Sequence, residues 1–136
     1  MNRNEVVAYI QDVHFGYLAT LGSDNVPRVR PIGIHTVYED CLYFFTFSHT
    51  RKVAEMDQNP QVEVVWSKLE MMSQVRIRGK VYKESDEAVQ QQFIAENPIV
   101  SKMLPPEAMH LFQLYRLEPE KVEAADGFVP YEEVIW

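Results

Sequence analysis

The segment Tyr43-Phe44-Phe45-Thr46-Phe47-Ser48-His49-Thr50-Arg51-Lys52 puts strand-forming aromatics, then hydroxyls, then two cations into one short run. Upstream, Arg28-Val29-Arg30-Pro31 adds two more cations. A phosphate carries close to two negative charges and takes charge-assisted donors. Arg28, Arg51 and Lys52 supply charge, and Thr46 and Thr50 supply hydroxyls. The backbone N–H groups that open a helix near residue 50 have no intrahelical acceptor and favour an anion. Cations at a helix N-terminus oppose the helix dipole, at a cost of about a few tenths of a kcal/mol, and a bound anion removes that conflict. Arg51-Lys52 taken alone also fits an ordinary solvated helix start. The neighbouring aromatics add a second expectation, a flat ring beside the phosphate.

Other chemistries are poorly supplied. There is no Gly-x-Gly-x-x-Gly and no Gly-Lys-Ser/Thr phosphate loop, and the five glycines, at 16, 22, 33, 79 and 127, are too scattered for a glycine-rich cradle. His14, His35, His49 and His110 lack metal-ligand spacing, so no metal site is expected. His49 stands apart because it lies inside the phosphate segment. The single cysteine, Cys41, allows no internal disulfide and reads as a small hydrophobe opening a strand. No nucleophile–histidine–acid arrangement is visible.

Residue spacing sets the surrounding secondary structure. Asn2 and Glu5 have capping-box spacing, and Val6, Ile10 and Val13 continue at helical spacing, which predicts a helix over 3–13. Strands are expected over 15–21, 26–36, 41–47, 61–67, 73–83 and 109–118. Pro27 and Pro31 mark the second as an edge or bulged strand, and Glu39-Asp40 forms a hairpin turn before the third. Thr50 caps a helix over 50–58 that Asn59-Pro60 ends. Ser85 caps another over 86–96, and Pro98, Pro105 and Pro106 break the next segment into a loop. Pro119 starts a short connection, and an acidic, aromatic tail covers 126–136. Six strands joined by short turns favour an antiparallel sheet closing into a small barrel. The fold class is therefore mainly β (α+β), in one domain over 1–136.

Composition narrows the partners. The 136 residues carry a net charge of −7, with 46% hydrophobic and 24% charged residues. That is an ordinary globular composition, large enough for one core. An acidic surface argues against non-specific nucleic-acid binding and against anionic membranes. No apolar run approaches the ~20 residues of a membrane helix, and the N-terminus reads as an amphipathic helix rather than a signal core. The expected location is cytoplasmic.

The order Arg28-Val29-Arg30-Pro31, Phe45-Thr46, Thr50-Arg51-Lys52 and Asn59-Pro60-Gln61-Val62 resembles the pyridoxamine 5'-phosphate oxidase-like FMN-binding split-barrel family. Gly16-Tyr17-Leu18-Ala19-Thr20 and Gln74-Val75 with Gly79-Lys80 are similar to two further signatures of it. The likeness covers about residues 15–84, with a weaker echo in 112–123. It implies a six-stranded antiparallel split β-barrel with flanking helices, forming a homodimer with FMN at the subunit interface. Carried over residue by residue, Arg28 and Lys52 hold the FMN phosphate, and Arg51 and Thr50 assist. Val29, Arg30 and Pro31 lie along the isoalloxazine edge, and Phe45 and Thr46 meet the ring and ribityl region. Gln74 reaches the flavin from the partner subunit. Trp66 reads as barrel core, or as part of the interface beside Gln74.

The resemblance breaks down at the C-terminus. True pyridoxamine-phosphate oxidases engage the vitamin phosphate there with a Trp and an Arg/His pair, whereas Val122–Trp136 has no Lys, Arg or His. Vitamin B6 oxidation is therefore not expected. Two readings stand. The first is an FMN-dependent oxidoreductase acting on a small molecule with a nicotinamide or other small reductant. The second is a non-catalytic module that binds, stores or passes electrons through a flavin, haem or deazaflavin.

Overall fold

A computed structural model describes residues 1–136. Helix α1 (Arg3–Val13) starts where its capping box places it. The Glu5 N–H donates to the Asn2 side chain at 2.9 Å, and the Asn2 N–H donates back to the Glu5 carboxylate at 2.7 Å. Then come β1 (Gly16–Leu21), β2 (Pro27–Ile32), β3 (His35–Tyr38), β4 (Cys41–Phe47), α2 (Arg51–Gln58), β5 (Gln61–Lys68) and β6 (Ser73–Lys83). The chain continues through α3 (Glu87–Glu96), α4 (Ile99–Met103), β7 (Phe112–Ala125) and the two-residue β8 (Glu132–Glu133). No helix is long and apolar enough to cross a membrane.

Every strand pairing is antiparallel, in the order β2-β1-β5-β6-β7-β4-β3, with β8 on β7. The two ends of this path, β2 and β3, are consecutive in the chain. The sheet thus curls into a split barrel whose seam is bridged covalently at Gly33-Ile34. Alternation puts Leu18, Val64, Trp66, Val75 and Ile77 into the barrel core, each fully buried. β4 is covered on both sides. Leu42 and Phe44 point into the barrel, while Tyr43 and Phe45 join Phe93, Val100, Leu104 and Leu114 in a second cluster under α3 and α4. That double burial is why β4 reads as an unbroken apolar run.

The antiparallel split barrel with flanking helices stands as expected, but its strand count does not. Seven strands form the path, because the strand expected over 26–36 changes partner at Gly33-Ile34: β2 pairs with β1, and β3 with β4. The last long strand spans Phe112–Ala125 and runs through Pro119. A register shift opposite, between Arg78 and Gly79, absorbs the missing donor. Gly79 permits that irregularity, since a methyl group there would overlap the Glu118 carbonyl. Asp86, not Ser85, caps α3, its carboxylate accepting from the Ala88 N–H at 2.9 Å. The expected loop after Pro98 contains α4 and a 3-10 turn over Pro106–Leu111.

Candidate functional site

β2 and the first turn of α2 enclose an open cleft of about 470 Å³ lined by Arg28, Val29, Arg30, Thr50, Arg51 and Lys52. Strand alternation aims Arg28 and Arg30 to one side of β2 and leaves Val29 and Pro31 exposed on the other. Chain direction explains the second half: β4 ends at Phe47, and α2 starts four residues later with its N-terminal N–H groups beside β2. Thr50 occupies the cap position without capping, because its hydroxyl donates to the Phe47 carbonyl at 2.9 Å. The first turn of α2 therefore receives no side-chain cap.

A carboxylate that residue spacing did not single out organises the arginines. Glu55, only 6% exposed, accepts from Arg28 Nη1 on one oxygen and from Arg30 Nη2 on the other, each at 3.1 Å. Asp24 takes Arg28 from the solvent side, at 2.8 and 3.1 Å. That pairing holds the Asp24 carboxyl down at about 2, with the Arg28 hydrogen bond the main cause. Arg30 also donates to Thr20 Oγ1 at 2.6 Å. Arg51 and Lys52 form no ion pair. Burial, with the nearby Arg30 charge, pushes the Lys52 ammonium below its ordinary value. Burial likewise lowers Arg30, with Glu55 opposing and Arg51 adding to the shift. Four cations thus face two carboxylates, Glu55 and Asp24, and the excess positive charge lies at α2.

Thr46 is 3% exposed, and its hydroxyl has no hydrogen-bond partner within the protein. An orphaned buried hydroxyl on the strand leading to the cations suits a ligand that supplies acceptor oxygens. Phe45 lies elsewhere: its ring stacks on Phe112 at 5.4 Å within the second cluster, turned away from the cleft. Gln74 is also distant. It pairs with Ser67 near the far end of β5, about 17 Å along the strand from the level of Arg28 at about 3.3 Å per residue. Within one chain, Gln74 does not meet the cations. Trp66 is fully buried and sits edge-on to His35 at 5.6 Å. His49 is exposed, its ring 6.1 Å from that of Phe47. No group of three or more His, Cys, Asp or Glu residues is placed to hold a metal ion.

Sequence reasoning missed Glu55 because it sits one turn after Arg51, where an acid reads as a surface i,i+4 partner. Its one signal was position. Glu55 lies on the Val53–Met56 side of α2, and both of those neighbours are core residues.

Comparison with known proteins bears on the fold and the family. Residues 3–126 match the family described as Pyridoxamine 5'-phosphate oxidase. A pyridoxine/pyridoxamine 5'-phosphate oxidase from Psychrobacter sp. (strain PRwf-1) is 35% identical over 86 residues, 63% of this chain. The match spans 40% of that protein's length. Among solved structures, a NimC/NimA family protein from Clostridium acetobutylicum superposes with a TM-score of 0.78 at 22% identity, covering 96% of this chain and 91% of that one. A pyridoxamine 5'-phosphate oxidase-related, FMN binding protein from Nostoc punctiforme PCC 73102 gives 0.68 at 19%, covering 96% and 88%. A heme binding protein from Mycobacterium smegmatis gives 0.75 at 12%, covering 93% and 55%. At such identities the structural likenesses show the fold alone, while the family match covers most of the chain. This chain belongs to the pyridoxamine 5'-phosphate oxidase family.

Proposed function

We propose that this protein binds FMN in the β2–α2 cleft and acts as an FMN-dependent oxidoreductase on a small molecule. The observation that carries the reading is the uncompensated charge of Arg51 and Lys52 beside the uncapped start of α2. A phosphate there meets two free cations, backbone N–H groups and the half-buried Arg30. Arg28, Arg30, Thr50, Arg51 and Lys52 would hold the phosphate end, and the orphaned Thr46 hydroxyl would donate to the ligand. Val29 and Pro31 would lie along the ring, contributing backbone groups. Phe45 faces the second cluster, so it would contribute through its backbone alone.

Bound FMN would supply hydride or electron transfer, which no side chain here provides. The protein's part is to bind, orient and exclude water. A single cleft this open covers only part of a flavin, and ligand sites usually bury most of their occupant. The exposed face formed by Tyr17, Val29 and Pro31, with Gln74 two strands away, would then meet a second copy, bringing the partner's Gln74 to the ring.

The test is an absorption spectrum of the freshly purified protein, with heat release and mass determination of any chromophore. A flavin spectrum with the mass of FMN supports the reading, and consumption of NADH or NADPH then identifies an enzyme. A colourless protein that takes up no added FMN overturns it. Bound FMN that no reductant or substrate alters favours a storage or electron-transfer module. Light scattering that finds a flavin-loaded monomer would contradict the shared site.

A further inference from the structure

Glu55 presents a carboxylate to the same donors that a phosphate in the cleft would use. A buried charge is costly unless paired, and Glu55 is paired twice, one oxygen to each arginine at 3.1 Å. Its Oε1 takes Arg30 and its Oε2 takes Arg28, so one trigonal anion bridges two guanidiniums from adjacent inward positions of β2. The other groups facing this bridge are Asp24 on Arg28 and Thr20 on Arg30. Arg51, one helical turn before Glu55, forms no ion pair with it. The arrangement is that of an anion site already partly answered from within.

We propose that Glu55 is a built-in counter-charge for the cleft, holding Arg28 and Arg30 in place when no anion is present and competing with a ligand's phosphate for them. Glu55 touches neither ring nor phosphate in this scheme and acts through the two arginines, as a positioning residue. It keeps the apo protein folded with four cations close together, and it limits how tightly a phosphate binds. This rests on the reading of the cleft as an anion site.

The competition has a definite sign. Glu55→Gln keeps the shape and one acceptor oxygen but removes the negative charge. FMN should then bind at least about fivefold tighter, the order that one like charge a few ångströms from a phosphate costs even at the dielectric of bulk water. Riboflavin, which has the ring and no phosphate, should change by less than about twofold on the same electrostatic argument. The variant should melt below wild type in chloride buffer, and inorganic phosphate should raise its Tm by more than it raises that of wild type. A purely structural Glu55 would lower both Tm and affinity and leave the FMN-to-riboflavin ratio unchanged.

Fluorescence titration and thermal melts with FMN, riboflavin and inorganic phosphate separate the outcomes. If wild type binds FMN and Glu55→Gln binds it no tighter, the counter-charge is overturned and the flavin reading stands. If wild type ignores FMN but phosphate stabilises Glu55→Gln more than wild type, the flavin reading fails and the counter-charge stands. If neither protein responds to FMN or phosphate, both fail. Should Glu55→Gln not fold, Glu55→Asp decides, since it draws the carboxylate back by one methylene. Tighter FMN binding than wild type supports the proposal, and equal or weaker binding overturns it.

Discussion

Arg28 lies so close to Gly22 that a methyl group on the glycine would overlap the guanidinium Nη1 and come within 2.6 Å of Asp24 Oδ1. The turn after β1 therefore sets where a cation on β2 can sit. Gly22→Ala should displace Arg28 from its bridge to Glu55 and cost up to about 1 kcal/mol through the loosened ion pair, since the atoms met are the ends of flexible side chains. FMN affinity should fall by about tenfold or more if one charge-assisted contact is lost. Thermal melts and flavin titration of the variant check both numbers.

Lys52 is the cation with most to gain from an anion, because burial and Arg30 already push its ammonium below the ordinary lysine value. Lys52→Ala should weaken FMN by about 10–100-fold, the worth of one hydrogen bond to a charged group, and leave riboflavin nearly unchanged. The pH dependence has a defined sign. The folded state without ligand holds this proton less tightly than the unfolded chain, so the penalty is fully present below the lowered value. It is relieved as pH rises past the lowered value. FMN affinity should fall over that same alkaline range, as the cation is lost. Full flavin occupancy in purified Lys52→Ala would refute the phosphate assignment.

The acid limb belongs to Asp24. Its carboxyl is held down to about 2 in the folded protein by Arg28. A carboxyl lowered in the folded state stabilises above its unfolded value, and that contribution is lost as pH falls through the folded value. Wild type should lose this part of its stability between about pH 4 and pH 2. Asp24→Asn should lack that portion of the slope while keeping the rest of the acid transition. Denaturant midpoints measured across this range for the two proteins give the comparison.

Tyr17 and Val29 are 51% and 66% exposed, and the β1–β2 register puts Pro31 beside Tyr17 and Val29 beside Ala19 on the same outer face. If this face joins two copies around the flavin, Val29→Asp should yield a monomer by light scattering and lose FMN at the same time. The Glu55 bridge on the opposite side of β2 should survive, so the melting temperature in the absence of flavin should stay within a few degrees of a wild-type monomer. A Val29→Asp dimer with full flavin occupancy would exclude this face.

The features legible in the sequence were mostly local. The Asn2–Glu5 box placed the start of α1, Asn59-Pro60 placed the end of α2, and the alternation of Val75, Ile77, Gly79 and Val81 placed the inner face of β6. Gathering Arg28, Arg30, Arg51 and Lys52 into one cleft was also foreseeable, because residue types and order suggested a common ligand. Non-local decisions were not legible. The break between β2 and β3 depends on which strand each segment meets, and nothing in residues 26–36 records that. Pro119 looked like a strand end because the bulge that accommodates it, with Glu120 left unpaired opposite Arg78 and Gly79, depends on the register with β6. Glu55 looked like a surface acid because its partners are 25 and 27 residues away on a strand.

β4 is flanked by β3 and β7 and roofed on both faces by separate cores. Its amides are thus sealed from solvent on every side, and they should be among the slowest in the molecule to exchange with deuterium. The α3–α4 layer, resting on the outer face of that strand and of its neighbours β3 and β7, then works as a clamp. Loosening it by Phe93→Ala should quicken exchange in β4 and carry on to the Thr46–Lys52 turn, so that a residue remote from the cations sets how firmly they are held.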